Sequence, residues 1–404
     1  MVAGLVSPWA VAVAVPVAMA FGDPCVEPNV TLSNGLSMPR VGYGCAGRAT
    51  AASVEMALRA GARLLDTAQA AEWYDEGAVA AGLERSGVDR RQVVVVTKMH
   101  PRDHGYKSAA AKVRESAERF GGFVDVFLQH YPTCWDGLCG AGWRDRVEGD
   151  WRDSWRAMED AYESGLVKAI GVSNFGLRDF EALLEFARIA PHVLQTWMDP
   201  FHAEVPLRRA CERAGVVFMS YSTLGTQWEM QRRGNPVLDS PTLKALGAKH
   251  GGRSPAAVAL SWAVQRGAVV IPRSRTAKHV EANARTYAPD GTLDLCLPPD
   301  DLAVIDALDA TTEKAEDDPS VSATFENEGD EALDLFWKDP TTGEVKVGTL
   351  APRDRLAIST YAGHAFVARL PRAAPGAAAV ATLVVPPATS QVTFPIADPE
   401  AEEL

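Results

Sequence analysis

Between about residue 41 and residue 290, short apolar runs alternate with stretches whose apolar positions recur at helical spacing. The runs are "RVGYG", "RLLD", "VVVVTK", "FVDVFLQH", "VKAIGVSN", "HVLQTW", "VVFMSYS" and "AVVIPRS". They are continuously apolar, not alternating, as strands covered on both faces are. Stretches such as "SVEMALRAG", "SAAAKVRESAERFGG", "DSWRAMEDAYESG" and "LRRACERAG" lie between them and read as amphipathic helices. Eight such strands alternating with helices predict an α/β fold, a closed (β/α)8 TIM barrel. A doubly wound open sheet is the competing arrangement. It wants a Gly-rich phosphate loop after its first strand, and "GYGCAG" is a poor version of one. Ahead of the first strand, "VTLSNGLSMP" predicts a hairpin turning at Asn34-Gly35.

The pattern changes after residue 312. "TTEKAEDDPSVS" is polar and acidic, and a linker is expected at 313–321. Short β-rich runs broken by turn residues fill 322–396, which predicts a small all-β sandwich domain. The acidic tail, 397–404, is expected to be disordered. At the other end, the first 21 residues carry no charged side chain, and Ala18-Met19-Ala20 fits a cleavage site. Residues 1–21 read as a secretory signal peptide, with an uncleaved anchor or an alanine-rich leader as alternatives. The expected location is the secretory pathway or an organelle reached through it, the alternative being the cytoplasm. Asn29-Val30-Thr31 is a glycosylation sequon that matters only on that route. Cys134 and Cys139 stand close in a Gly-rich stretch; a bridge and a pair of free thiols are both open readings. Cys211 reads as core.

A formal net charge of -12, with no basic patch interleaved with aromatics, argues against a nucleic-acid partner. No Cys or His spacing suggests a metal site.

The apolar runs end in polar residues: Asp66, Lys98, His130, Ser173-Asn174, Tyr221-Ser222 and Arg273-Ser274, with Gln195 inside the sixth run. Such positions share the mouth at the C-terminal ends of barrel strands. A Lys beside an Asp forms an ion pair, and its charge lowers the pKa of a nearby phenol. A His polarises a carbonyl, amides hold a carboxamide, and a Tyr stacks on a planar ring. Together they suit carbonyl reduction with hydride from a nicotinamide and a proton from a tuned hydroxyl.

Residues 30–312 resemble the aldo-keto reductase family. The resemblance is carried by "LLDTAQ", "VVVVTK", "VDVFLQHYP", "GLVKAIGVSNF", "VLQTW", "MSYSTLG" and "IPRSRTAKHVEAN", in family order. It implies a barrel plugged by the N-terminal hairpin and an Asp-Tyr-Lys-His tetrad. Asp66, Lys98 and His130 match three members. The Tyr is the proton donor, tuned by the Lys-Asp pair, while His orients the carbonyl. Ser173, Asn174 and Gln195 match the carboxamide residues and Tyr221 the ring that stacks on nicotinamide. Ser222 and Leu224 match the pyrophosphate-side loop, and Arg273, Ser274, His279 and Asn283 the adenosine end. With Arg275 as an extra cation, the implied cofactor is NADPH in preference to NADH. The chain departs from the pattern at the Tyr. Five residues after Asp66 stands Ala71, and counting back from Glu76 gives Trp73. Only Tyr74 has a titratable hydroxyl here, so a lengthened loop must carry Tyr74 to the donor position or the tetrad is incomplete. Trp73, Trp135 and Trp143 are expected at the substrate mouth; His100 and His104 are weaker candidates there, with a solvated loop as the competing reading.

Residues 322–396 resemble the β-domain of the von Hippel-Lindau tumour suppressor, through "FENEGDEALDLFWKD", "GTLAPRD" and "STYAGHAFV". The resemblance implies a peptide- or protein-binding pocket at Trp337, Thr360, His364 and Phe366. Two readings of the whole chain follow. One is a monomeric NADPH-dependent reductase of a small carbonyl substrate. The other is a catalytically impaired nucleotide-binding barrel whose β module does the work.

Overall fold

The computed structural model describes residues 26–140, 142–143, 147–309, 321–339, 343–360, 365–371, 380–384 and 391–396. The leader at 1–21, residues 313–320 of the linker, the tail at 397–404, His364 and the side chain of Thr360 lie outside that set. The chain divides after Asp309 into two compact units.

The first unit opens with a hairpin of β1 (Asn29–Thr31) and β2 (Ser37–Pro39), with Asn29 opposite Pro39 and Thr31 opposite Ser37. Gly35, at φ +88°, makes the turn. The strands β3 (Tyr43–Gly44), β4 (Leu64–Asp66), β5 (Val94–Met99), β6 (Val124–Gln129), β7 (Val167–Ser173), β8 (Val193–Trp197), β9 (Val217–Tyr221) and β10 (Val269–Val270) follow. Each pairs in parallel with the next in one eight-stranded sheet. The sheet closes where Val41 bridges Val270 in parallel, and the Gly42 amide reaches the Val270 carbonyl at 2.8 Å. The fold is therefore a (β/α)8 barrel and not an open sheet. Its last strand is shorter than the apolar run suggests, so Arg273 and Ser274 follow it in irregular chain.

Side-chain alternation sorts the barrel into two cores. Leu64, Val96, Val126, Leu128, Val193, Met219 and Val269 face inward and pack together. Leu65, Val95, Phe127, Leu194 and Phe218 face outward, against the helices. Leu32 and Met38 of the hairpin, 2% and 0% exposed, join the inner set, so the hairpin plugs the barrel. The helices start where local chemistry directs. Thr50 and Ser53 form a capping box on the helix Ala51–Arg59, and Asp150 and Asp153 form one on the helix Trp151–Glu163. Cys134 and Cys139 are joined by a disulfide, and Cys296 is also disulfide-bonded. Cys45 and Cys211 are buried free thiols.

In the second unit, β11 (Val321–Asn327), β12 (Leu333–Asp339), β13 (Gly343–Leu350), β14 (Arg355–Thr360), β15 (Ala365–Arg369), β16 (Ala381–Val384) and β17 (Gln391–Ile396) form two small sheets, ordered β14-β11-β17 and β13-β12-β15-β16. Both contribute to one core of Ala323, Phe325, Leu333, Leu335, Leu350, Phe366, Ala368 and Ile396. Phe366 is 2% exposed, with its ring 4.9 Å from Phe325, so it serves this core and does not line an open pocket. Trp337 lies opposite it in the β12–β15 register, half-buried against the same core.

Candidate active site

The inward parity of each strand carries past the apolar layer into its polar end. Leu64 faces in, and so does Asp66; Val96 and Lys98, Leu128 and His130, Val193 and Gln195, Met219 and Tyr221 follow the same step of two. The strands thus deliver these side chains to one mouth. Lys98, 1% exposed, donates to Asp66 Oδ1 at 2.7 Å, Asp66 Oδ2 at 2.9 Å and the Thr67 carbonyl at 2.9 Å. Those are three acceptors for the three hydrogens of the ammonium. Asp66 Oδ1 also accepts from Gln195 Nε2 at 2.7 Å. Gln195 is therefore engaged with the ion pair, beside Ser173 and Asn174.

Tyr74 sits above this pair, with Lys98 Nζ 5.0 Å from its ring centroid and the His130 ring 5.9 Å away. Burial pushes its phenol well above the ordinary range, and the Asp66 carboxylate adds to the rise. Burial outweighs any lowering by the Lys98 charge. The ammonium is engaged by three oxygens and makes no hydrogen bond to Tyr74. His130 is held well below its usual range, first by burial and then by the Lys98 charge, so it is a neutral imidazole. Its Nδ1 has no hydrogen-bond partner.

Trp73 is 37% exposed, with its ring 6.1 Å from His130 on the side open to solvent. Tyr131 was not singled out from the sequence. It lies 5.0 Å from His130 and meets Trp135 edge-on at 5.1 Å. Its place directly after His130 was the available signal. Trp135 is 47% exposed, and the disulfide closes the short turn that bears it. Trp143 is half-buried further along the same loop, its carbonyl accepting from the Val147 amide at 3.1 Å.

His100 and His104 are buried instead of facing solvent. His104 bridges Ser154 Oγ at 2.9 Å and the Tyr131 carbonyl at 3.1 Å, and burial lowers its pKa to about 4. The folded value lies below the ordinary histidine value of about 6.5, so its contribution is complete above pH 6.5 and is lost as pH falls toward 4. The unfolding free energy from urea titrations is expected to fall over that window by an amount on the order of 1–3 kcal/mol, and His104→Gln should flatten the decline.

The cofactor candidates lie at the ends of β7 and β9 and in the chain that follows β7, β9 and β10. Asn174, at φ +57°, donates to the His130 carbonyl at 2.8 Å and to Ser173 Oγ at 3.1 Å, and accepts from the Tyr221 hydroxyl at 2.7 Å. Ser222, at φ +54°, opens a tight turn through Leu224 to Gly225, whose amide returns to the Ser222 carbonyl at 2.9 Å. Trp228 beyond it shares Asp199 with Trp197, both indoles donating to Oδ2, at 2.9 and 2.8 Å. This seam between two loops has no local sequence signal. The Ser274 carbonyl accepts from the Tyr43 hydroxyl at 2.8 Å. His279 and Asn283 lie one turn apart on the helix Ala277–Ala284, with His279 Nδ1 3.3 Å from Thr276 Oγ1. Arg273 and Arg275 lean on the carbonyls of Ala46 and Gly47. A Cβ at Gly47, φ +75°, would lie 2.3 Å from Arg273 Nη1. Among the described residues neither guanidinium pairs with a carboxylate, which suits an anionic group. Amide donors, a stacking phenol and unpaired cations fit a nicotinamide dinucleotide. Among the described residues no cluster of three His, Cys, Asp or Glu could hold a metal ion.

A closed parallel barrel with a buried Asp-Lys pair, a neutral His and a phenol at its C-terminal mouth belongs to the barrel oxidoreductases. More particularly, residues 45–309 match the Aldo/keto reductase family, and the chain belongs to it. It is 33% identical over 288 residues to a glyoxal reductase of Bacillus subtilis (strain 168), covering 70% of this chain and 93% of that protein. It is 31% identical over 293 residues to a morphine 6-dehydrogenase of Pseudomonas putida, covering 70% and 92%. Among solved structures, an aldo/keto reductase from Brucella melitensis aligns with TM-score 0.59 at 29% identity, covering 70% of this chain and all of that one. An aldo-keto reductase complexed with NADPH aligns with TM-score 0.60 at 28% identity, covering 70% and 88%.

Proposed function

We propose that the chain reduces a small aldehyde or ketone to the alcohol with NADPH, and that Tyr74 donates the proton. The observation that carries this reading is the phenol of Tyr74 above the Asp66–Lys98 pair and beside His130. NADPH, when bound, supplies the hydride. Ser173, Asn174 and Tyr221 would hold and stack on its nicotinamide, and Arg273 and Arg275 would face its 2′-phosphate. A neutral His130 can donate one N–H to the substrate oxygen without placing a second cation beside Lys98. Tyr74 then gives its proton to that oxygen as the alcohol forms, and the Lys98 ammonium offsets the phenolate left behind. For Lys98 to hydrogen-bond that phenolate it must release one of its three acceptors. The Thr67 carbonyl, the uncharged one, is the least costly to give up. Loss of NADPH absorbance with simple aldehydes, glyoxal included, tests the reading; no turnover with any carbonyl would overturn it.

The impaired-barrel alternative draws support from the same engaged Lys98. It expects NADPH to bind without turnover. For the second unit we propose a peptide or protein partner, a reading that rests on the sequence resemblance to the von Hippel-Lindau β-domain alone. Loss of a co-purifying partner on deletion of residues 322–396 would test that. The disulfides support entry into an oxidising compartment. Glycan attached at the exposed Asn29 would confirm it, and an unmodified cytoplasmic protein would oppose it. We take the chain to be a monomer, which the mass in solution will decide.

A further inference from the structure

The segment between Asp66 and Glu76 carries Tyr74 on a longer loop than the family's spacing requires, and longer loops are harder to hold in one conformation. Its far end is firmly anchored. The buried Glu76 carboxylate accepts from Thr97 Oγ1 at 2.5 Å and Ser116 Oγ at 2.8 Å, and pairs with Arg119. Asp75 caps the helix that begins there. Its near end leaves β4 and runs alongside β5, with the Thr67 amide on the Val96 carbonyl and the Gln69 amide on the Lys98 carbonyl. The stretch from Ala70 to Tyr74 is a turn of its own, with the Trp73 and Tyr74 amides both on the Ala70 carbonyl at 2.9 Å.

Two outside groups grip that turn. Arg48, from the loop after β3, donates its backbone amide to the Trp73 carbonyl at 2.7 Å and its Nη1 to the Ala71 carbonyl at 2.9 Å. It does so from φ +57°, a left-handed conformation in which a side chain is uncommon. From the other side Arg102 pairs with Glu72, while its Nε donates to His100 Nδ1 at 2.9 Å. His100 is buried and burial lowers its pKa to about 4, so it is neutral and accepts that bond. The residues gripped, Ala71, Glu72 and Trp73, are the three immediately before Tyr74.

We infer that Arg48 and the Glu72–Arg102–His100 chain are positioning devices for the Tyr74 hydroxyl, standing in for the rigidity a shorter loop would have. This rests on the carbonyl-reductase reading, with Tyr74 as donor. Catalytic geometry is sensitive at this scale, since a displacement of about 1 Å can cost about 100-fold in rate. The grip acts on the backbone just before Tyr74 through residues not assigned to the cofactor, so it is expected to bear on kcat and not on NADPH binding; Glu72→Gln, which leaves the Arg275–Gly47 contact beside Arg48 unaltered, is the cleaner test of the second point.

Arg48→Gly is the sharpest variant. Glycine accepts φ +57° without strain, so the guanidinium is removed without forcing the backbone, and Arg48→Lys separates its loss from the added freedom of glycine. Amide hydrogen exchange over 68–76 in the full chain should rise in Arg48→Gly and in Glu72→Gln, and remain unchanged in Arg59→Ala, a surface control. In the same variants kcat should fall about 10- to 100-fold with NADPH dissociation unchanged and a larger solvent isotope effect. Arg48→Lys, which can still reach one carbonyl, should recover part of the rate. Unchanged exchange in Arg48→Gly overturns the grip, whatever the activity. Raised exchange with undiminished kcat overturns its positioning role. If the wild type reduces no carbonyl, the functional reading fails while the exchange result still decides the grip.

Discussion

Tyr74→Phe is expected to lower kcat for aldehyde reduction by about 10²- to 10⁴-fold, the range for losing a positioned general acid, with NADPH affinity unchanged. The ring is kept, so the contacts with His130 and the cation beneath survive, and only the hydroxyl is lost. Trp73 cannot take over, because an indole N–H is not an acid at neutral pH. Trp73→Phe should raise KM and spare kcat, as suits a ring at the open side of the mouth. The second phenol near His130 is Tyr131, so Tyr131→Phe is the necessary partner experiment. If that variant loses turnover and Tyr74→Phe does not, the donor has been misassigned. The pH profile gives a second reading. A donor must be protonated, and burial pushes the phenol of Tyr74 above the ordinary tyrosine range of about 10. The plateau of kcat/KM should therefore extend to the alkaline side of pH 10, with no fall near neutrality from this group.

Much of this site could be read along the chain, because strand parity does the placing. A step of two from Leu64, Val96, Leu128 and Val193 reaches Asp66, Lys98, His130 and Gln195, and apolar runs show that parity plainly. The sequence was less informative where position depends on residues far apart. The Trp73–Tyr74 turn is set by Arg48 and Arg102, which come from two other loops. Asp199 collects indoles from two loops, and no window of sequence contains both. Nor does the sequence show how deeply Tyr74 is buried, and burial is the main cause of its raised pKa, with the Asp66 carboxylate adding to it. Phe366 was misplaced for a similar reason. An aromatic in a β-run can face pocket or core, and its contact with Phe325 puts it in the core.

Asp66→Ala should be the most destabilising single change at the site, costing about 3–5 kcal/mol in the urea transition of the barrel. It strands an ammonium that is 1% exposed, and it also removes the acceptor of Gln195 Nε2. Most of that cost belongs to the uncompensated charge and not to the strength of the pair. The double variant Asp66→Leu with Lys98→Met tests this directly. Two apolar side chains bring back packing without charge, so most of the lost stability should return, short of wild type by the Gln195 amide and Thr67 carbonyl left without their partners. Turnover should not return, because neither the cation under Tyr74 nor its carboxylate partner is restored. A double variant as unstable as Asp66→Ala would mean that the pair holds the barrel mouth together. A stable but inactive one would mean that the barrel keeps a buried charge pair for chemistry, at a stability cost that the apolar layer of Leu64, Val96 and Leu128 below it can absorb.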